Sequence, residues 1–101
     1  MQSIPPHPVR SLRFPYFTLK LFPRKNDERR IGVVVGKKVF AKATARNSMR
    51  RYLYHFLFKK MSTATPYDVL LIAHGGAAHT DRNELSRALD TAIREAGQHQ
   101  P

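Results

Sequence analysis

The chain has 101 residues, of which 18 are Lys or Arg and 7 are Asp or Glu, so its formal net charge is +11. This length fits one small domain, with space for one sheet and two or three helices. The absence of Cys excludes a disulfide scaffold, a thiolate metal site and a Cys nucleophile, and it fits a cytoplasmic protein. The longest apolar runs, 33–35 and 69–73, are far too short to cross a membrane, so no membrane partner is expected.

The positive charge is concentrated in residues 1–60, which hold 15 Lys and Arg and 2 acids. Residues 61–101 hold 3 Arg and 5 acids, and no acid lies between Glu28 and Asp68. Repulsion among so many like charges destabilises a small fold unless a partner offsets it. The distribution therefore favours a polyanionic partner such as RNA.

The N-terminal third predicts an arm followed by two strands. Residues 1–11 contain three Pro and no apolar periodicity, so they are interpreted as an extended Pro-rich arm. Residues 12–22 alternate apolar and polar side chains from Phe17 onward, which predicts a half-buried strand. After a polar turn at 23–30, the β-branched residues 31–36 predict a second, more central strand. These two strands are expected to pair as a hairpin.

The middle of the chain predicts a crossover unit. A long helix is expected from about residue 41 to residue 60, followed by a third strand at 67–74. The continuous apolar run of that strand indicates burial on both faces and parallel pairing. Strand, helix and strand across 31–74 would then form the crossover. Residues 12–97 are predicted to form a single α/β (α+β) two-layer sandwich, with a small mixed sheet.

The C-terminal part predicts a second helix. After a loop at Gly75 and Gly76, this helix is capped by Thr80 or Asp81 and ends at Gly97, and residues 98–101 are expected to fray. Its small and apolar side chains share one face at helical spacing. They are Leu85, Ala88, Leu89, Ala92, Ile93 and Ala96.

The long helix has two opposed sides when its residues are placed 100° apart. Its basic side carries Arg46, Asn47, Arg50, Arg51 and Tyr54. Its apolar side carries Ala45, Met49, Tyr52, Leu53 and Phe56. Phe58 falls on the basic side, which the helical pattern does not explain. Because no acid accompanies these arginines, ion pairs within the helix cannot account for them, and nucleic-acid binding is favoured over a merely solvated face.

The residue types on the basic side suit RNA for separate chemical reasons. Arg46 and Arg50 are one turn apart, about 6 Å between Cβ atoms, which is close to the spacing of successive phosphates. Guanidinium groups bind phosphate oxygens and also stack on bases. Asn47 offers a donor and an acceptor to a base edge or a 2′-hydroxyl. Three lysines before the helix or in its first turn extend the surface: Lys37, Lys38 and Lys42.

The segment 31–56, IGVVVGKKVFAKATARNSMRRYLYHF, resembles the protein subunit of bacterial ribonuclease P. The family pattern is a strand, a Lys-Lys turn, an internal Ala, and then Arg-Asn-Arg-x-Lys-Arg on a helix. The matching residues are Gly36, Lys37, Lys38, Ala43, Arg46, Asn47, Arg50 and Arg51. The likeness extends over about residues 12–97. Two departures stand out: Ser48 replaces the third motif position, normally Arg, and a Pro-rich arm precedes the first strand where the family has a basic N-terminal helix with spaced Phe.

The resemblance implies an RNA-binding subunit that joins a large catalytic RNA, ribonuclease P RNA. That RNA removes the 5′ leader from precursor tRNA by using Mg²⁺ that it binds mainly itself. The protein would screen phosphates, hold the leader and strengthen Mg²⁺ use, with no catalytic residue, metal ligand or small-molecule cofactor of its own. The family fold also implies a left-handed βαβ crossover, contrary to the general rule.

The first strand offers a candidate surface for the leader. If Phe17 and its alternates face the helices, Tyr16, Thr18 and Lys20 lie on the other face. An aromatic side chain beside a cation suits single-stranded RNA, because stacking tolerates any base. An ordinary polar sheet face is the alternative interpretation.

Other functions remain open or are disfavoured on the same residues. A general structured-RNA or ribosome-binding module would share every electrostatic feature. A protein-only nuclease is disfavoured because clustered carboxylates for two metals are absent. Asp68 and Asp81 are interpreted as a strand-edge residue and a helix cap. The five histidines lack metal-ligand spacing, and His74 and His79 are expected at the surface.

Overall fold

The fold consists of a four-stranded mixed sheet and two α-helices. The structure is a computed structural model, and it describes residues 10–24, 27–61 and 67–97. In chain order the elements are β1 (Arg10–Arg13), β2 (Phe17–Pro23), β3 (Ile31–Val34), α1 (Ala43–Lys60), β4 (Tyr67–Ala73), a short 3₁₀ helix (Gly75–His79) and α2 (Arg82–Gly97). The predicted α/β sandwich and both predicted helices are confirmed. The Gly75-Gly76 segment, expected as a loop, begins the 3₁₀ helix.

One strand is present that the sequence did not predict. Arg10 and Ser11, expected in the arm, belong to β1, which pairs antiparallel with β2. A turn closes this hairpin, with the Phe14 N–H donating to the Phe17 carbonyl at 2.9 Å. The remainder of the predicted arm and the tail at 98–101 lie outside the described residues.

The order of strands in the sheet is β1-β2-β4-β3. The expected hairpin between β2 and β3 is wrong, because β2 pairs antiparallel with β1 and with β4. The expectation that β3 is the more central strand is also wrong, since within residues 10–24, 27–61 and 67–97 it pairs with β4 alone and lies at an edge of the sheet. A long charged connection, unlike a two-residue turn, does not force its flanking strands to pair. The apolar strand β4 therefore takes the central position.

The crossover unit is confirmed. β3 and β4 are neighbouring parallel strands, and α1 connects them along the chain. The pairing does not define the hand of this crossover, so its left-handedness stays a prediction. The arrangement places α1 against β3, close to one edge of the sheet.

The core lies between one face of the sheet and both helices. Residues paired across neighbouring strands share a face. The helix-covered face therefore contains Phe17, Leu19, Leu21, Val69, Leu71 and Ala73, all buried. The helices contribute Met49, Leu53 and Leu57 from α1 and Leu85, Leu89, Ala92 and Ala96 from α2. This packing confirms the predicted inward faces of β2 and α2.

Neither of the two described helices packs on the other face of the sheet. We call it the open face, and by the strand register it contains Ser11, Arg13, Thr18, Lys20, Phe22, Gly32, Val34, Asp68, Leu70 and Ile72. Leu70 and Ile72 are half-buried, whereas Val34 is exposed. The open face thus has an apolar part on β3 and β4, next to the two cations Arg13 and Lys20 on β1 and β2.

Of the two aspartates, only Asp81 is placed as the sequence predicted, because Asp68, interpreted as a strand-edge residue, is buried in the central strand β4. Asp81 caps α2, because its Oδ1 accepts a hydrogen bond from the Glu84 N–H at 2.8 Å. Asp68 is buried in β4 and accepts a hydrogen bond from the Arg30 N–H at 2.9 Å, and the Arg30 guanidinium lies 3.3 Å from its second oxygen. Asp68 therefore fixes the start of β3 against β4.

Candidate nucleic-acid interface

A groove runs between the basic side of α1 and strand β3. Its volume is about 530 Å³. Ile31 and Val33 form its floor on the sheet. Its α1 wall consists of Asn47, Arg50, Arg51 and Tyr54. The fold thus brings four of the predicted RNA-binding side chains together beside an apolar strip.

Arg50 is oriented by its neighbour. Its Nη1 donates a hydrogen bond to Asn47 Oδ1 at 2.6 Å, one turn earlier on the helix. The Asn47 amide group and the other guanidinium N–H groups remain as donors, because this bond uses only one carbonyl oxygen and one nitrogen. Arg50 and Asn47 therefore form one donor unit on the α1 wall of the groove.

Arg46 lies apart from this unit. The buried line of α1 is Met49, Leu53 and Leu57. Arg46 precedes Met49 by three residues and Leu53 by seven, so it lies on this buried side of the helix and its predicted place on the basic side is wrong. Its Nη1 donates to the carbonyls of Phe40 and Ala41, at 3.1 and 2.9 Å. Arg46 therefore braces the segment that leads into α1, a contact that the helical wheel could not anticipate.

The three predicted lysines are all exposed at the start of α1. Lys37 and Lys38 lie in a turn closed by hydrogen bonds from the Val39 and Phe40 N–H groups to the Gly36 carbonyl. Lys42 is the N-cap residue of α1, and it gives no side-chain capping bond. With no acid in the first turn, this end of the helix is uniformly positive.

Lys37 and Lys38 also border a second groove. It has a volume of about 370 Å³ and lies where β3 and β4 end. Val34 and Ile72 from the open face line it, together with His74. The lysine turn therefore connects the start of α1 with the open face of the sheet.

The three candidate leader-binding residues differ in accessibility. Lys20 and Tyr16 are half-buried, whereas Thr18 is buried. Thr18 Oγ1 and His74 Nε2 are 2.7 Å apart and share a hydrogen bond. His74, expected at the surface, is half-buried and held by this bond. Thr18 therefore positions His74 on the open face.

An aromatic and cationic cluster extends the basic side of α1 beyond the predicted residues. Phe58 is exposed and stacks on Tyr54, and the Arg29 guanidinium lies 5.5 Å from the centre of its ring. The position of Phe58 on the helical wheel was the one available signal for this cluster. Arg29 could not be foreseen, because the approach of the connection 24–30 to α1 is a tertiary contact.

The described residues offer no obvious metal site or membrane segment. Across 10–24, 27–61 and 67–97, no three His, Asp or Glu side chains come close enough together to hold a metal ion. In the same residues, neither helix combines the length and apolar content that crossing a bilayer requires.

Comparison with known proteins identifies the relatives of this chain. The family model for ribonuclease P matches residues 7–97. The ribonuclease P protein component of Citrifermentans bemidjiense is 33% identical over 78 residues, which cover 77% of this chain and 66%, just under two thirds, of that protein.

Two solved structures have the same fold. The ribonuclease P protein of Staphylococcus aureus matches with a TM-score of 0.73 at 23% identity, covering 86% of this chain and 80% of that one. The Thermotoga maritima protein, solved with 1-(4-fluorophenyl)-2-thiourea, matches with a TM-score of 0.71 at 20% identity, covering 90% and 86%.

Proposed function

Because the chain belongs to the ribonuclease P protein family, we propose that it is the RNA-binding subunit of this tRNA-processing endonuclease. In this role it assists a catalytic RNA in removing the 5′ leader from precursor tRNA. The observation that carries the proposal is the groove beside α1, where Asn47, Arg50 and Arg51 meet without an acidic neighbour.

The RNA subunit is assigned to the basic side of α1. Arg50 and Arg51 supply guanidinium groups for phosphate oxygens, and Asn47 supplies an amide for a base edge or a 2′-hydroxyl. Lys37, Lys38 and Lys42 add point charges at the helix start. Arg46 contributes mainly by bracing the residues that precede α1, so its effect on RNA is partly indirect.

The leader is assigned to the open face of the sheet. Lys20 lies beside the apolar Leu70, and Tyr16 lies next to the strand end that Thr18 and His74 tie together. Apolar side chains bordered by cations suit an extended single strand, whose bases stack while its phosphates are neutralised. This assignment keeps the leader and the RNA subunit on different surfaces.

Mg²⁺ is assigned to the RNA rather than to the protein. The described side chains supply no cluster of oxygen or nitrogen ligands for a divalent cation. The protein assists metal use indirectly, because its cations lower the repulsion between phosphates that must approach each other when the RNA folds around Mg²⁺.

Reconstitution tests the proposal. The protein is combined with the ribonuclease P RNA of the same organism and a precursor tRNA, and cleavage is measured across Mg²⁺ concentrations. We expect the protein to restore cleavage at Mg²⁺ concentrations at which the RNA alone is inactive. Arg50→Ala with Arg51→Ala should abolish most of this rescue, whereas Arg87→Ala, which removes an exposed Arg from α2, should not.

The same assay separates the two surfaces and the competing function. Lys20→Ala should weaken binding of a precursor with a long leader more than binding of mature tRNA. Tight RNA binding without any rescue of cleavage would contradict the proposal and favour a general structured-RNA module. Cleavage by the highly purified protein without RNA would contradict it as well.

A further inference from the structure

Two aromatic rings are left exposed on the basic side of α1. The described residues expose three large apolar side chains, and two of them are Tyr54 and Phe58, with exposed fractions of 40% and 55%. They are one turn apart and therefore share a helix face. Large rings seldom remain in water when packing could cover them, so this pair points to a partner that covers it.

The two rings form one surface. Their planes differ by 11° and their centres are 6.0 Å apart. At that distance parallel rings are offset and do not cover each other, so both contribute area to a partner. We call Tyr54 and Phe58 the aromatic ledge.

Arg29 holds the ledge in place from below. Its Nη2 donates to the Phe58 carbonyl at 2.9 Å, and its Nη1 donates to the Met61 carbonyl at 3.0 Å. The same guanidinium lies 5.5 Å from the centre of the Phe58 ring. The cation therefore binds the C-terminal carbonyls of α1 and fixes the ring, which lowers the entropy lost when a ligand stacks on it.

The ledge continues the proposed RNA surface. Tyr54 lines the groove that contains Asn47, Arg50 and Arg51, and it also lines a third groove of about 470 Å³ with Arg29 and Phe58. From Asn47 to Phe58 the helix rises about 16 Å, enough for several nucleotides. One strand can therefore contact the arginines and the ledge at the same time.

The charges around the ledge identify the occupant. Arg50 and Arg51 line the groove on one side of it, whereas the groove on the other side is lined by two acids, Asp27 and Glu28, as well as by Arg24 and Arg29. The charges of these two acids and two arginines balance, so phosphates are attracted more strongly to the side of Arg50 and Arg51. A neutral base suits the ledge itself. A second copy of this chain would bring a like-charged surface and is disfavoured.

We propose that the aromatic ledge binds an unpaired base of the RNA whose phosphates contact Arg50 and Arg51. The proposal rests on the proposed function, since it requires that the basic side of α1 binds RNA. Stacking of a base on aromatic side chains is sequence-tolerant, so the ledge anchors an extruded nucleotide without selecting its identity.

A matched pair of substitutions in α1 tests the ledge. Phe58→Leu keeps apolar bulk but removes the ring from the ledge, whereas Phe56→Leu removes a ring from the other side of the same helix. We expect Phe58→Leu to weaken binding of the ribonuclease P RNA by about tenfold, and Phe56→Leu to weaken it less than twofold. Circular dichroism checks that both variants fold.

A fluorescence measurement reports the stacking directly. The chain contains no Trp, so Phe58→Trp and Phe56→Trp each introduce a single reporter. A base stacked on the ledge should quench the emission of Phe58→Trp when the RNA is added, and Phe58→Trp should bind as tightly as the wild type. The emission of Phe56→Trp should change little.

The outcomes separate the two proposals. If the wild type does not bind the RNA in a salt-dependent way, the proposed function fails. If it binds, but Phe58→Leu and Phe56→Leu behave alike or the Phe58→Trp emission does not change, only the ledge is overturned. Loss of a dimer in Phe58→Leu, seen by sedimentation, would also overturn it and assign the ledge to self-association.

Discussion

At the residue scale, the arginines of α1 separate into two functions. Arg46 matches the first position of the family motif, yet its guanidinium binds the Phe40 and Ala41 carbonyls. Arg50 binds Asn47 on the wall of the groove. The same sequence motif thus contains Arg46, which stabilises the protein's own backbone, and Arg50, which is available to bind RNA.

This separation predicts different phenotypes for two Arg→Ala substitutions. Arg46→Ala should lower the free energy of unfolding by about 1 kcal/mol, because two backbone carbonyls lose their charged donor. Arg50→Ala should change it by less than about 0.5 kcal/mol and should weaken RNA binding more. Urea unfolding and RNA titration measure the two effects, and equal losses of stability would contradict the assignment.

At the element scale, local patterns predicted the helices but not the pairing of strands. The apolar spacing in α2 and its Asp81 cap depend on neighbours a few residues away, so they can be read directly from the sequence. The position of β3 in the sheet is set by its pairing with β4, a strand that follows it by more than thirty residues. Arg29 beneath Phe58 and His74 beside Thr18 were not foreseen for the same reason: both contacts join distant segments.

The 3₁₀ helix after β4 packs tightly on the turn between β1 and β2. A Cβ added at Gly76 would lie 3.0 Å from the Pro15 carbonyl oxygen, whereas one added at Gly75 would meet nothing within 4 Å. Because the backbone cannot move aside like a flexible side chain, Gly76→Ala should cost about 1–2 kcal/mol of stability. Gly75→Ala serves as the control and should change stability little. Thermal unfolding measures both effects. If Gly76→Ala and Gly75→Ala melt at similar temperatures, the backbone near Pro15 can shift at little cost and the prediction is wrong.

At the scale of the whole molecule, charge governs the approach to RNA. Each phosphate contact contributes about 0.7–0.9 to the slope of log affinity against log salt concentration. Arg50→Ala combined with Arg51→Ala should therefore reduce the magnitude of the slope by about 1.4–1.8. Arg87→Ala should leave it unchanged, because this Arg lies on α2 next to Glu84. RNA titrations at several salt concentrations give the slope. An unchanged slope in the double variant would show that Arg50 and Arg51 do not contact RNA phosphates.

The position of β4 between β2 and β3 also orders events during synthesis. A nascent chain that ends before Tyr67 already contains 15 of its 18 Lys and Arg residues, but it lacks the strand on which the sheet is assembled. Until that strand emerges, only the β1–β2 hairpin and an undocked helix can form. The most strongly cationic part of the polypeptide is thus synthesised before the strand that completes its tertiary structure.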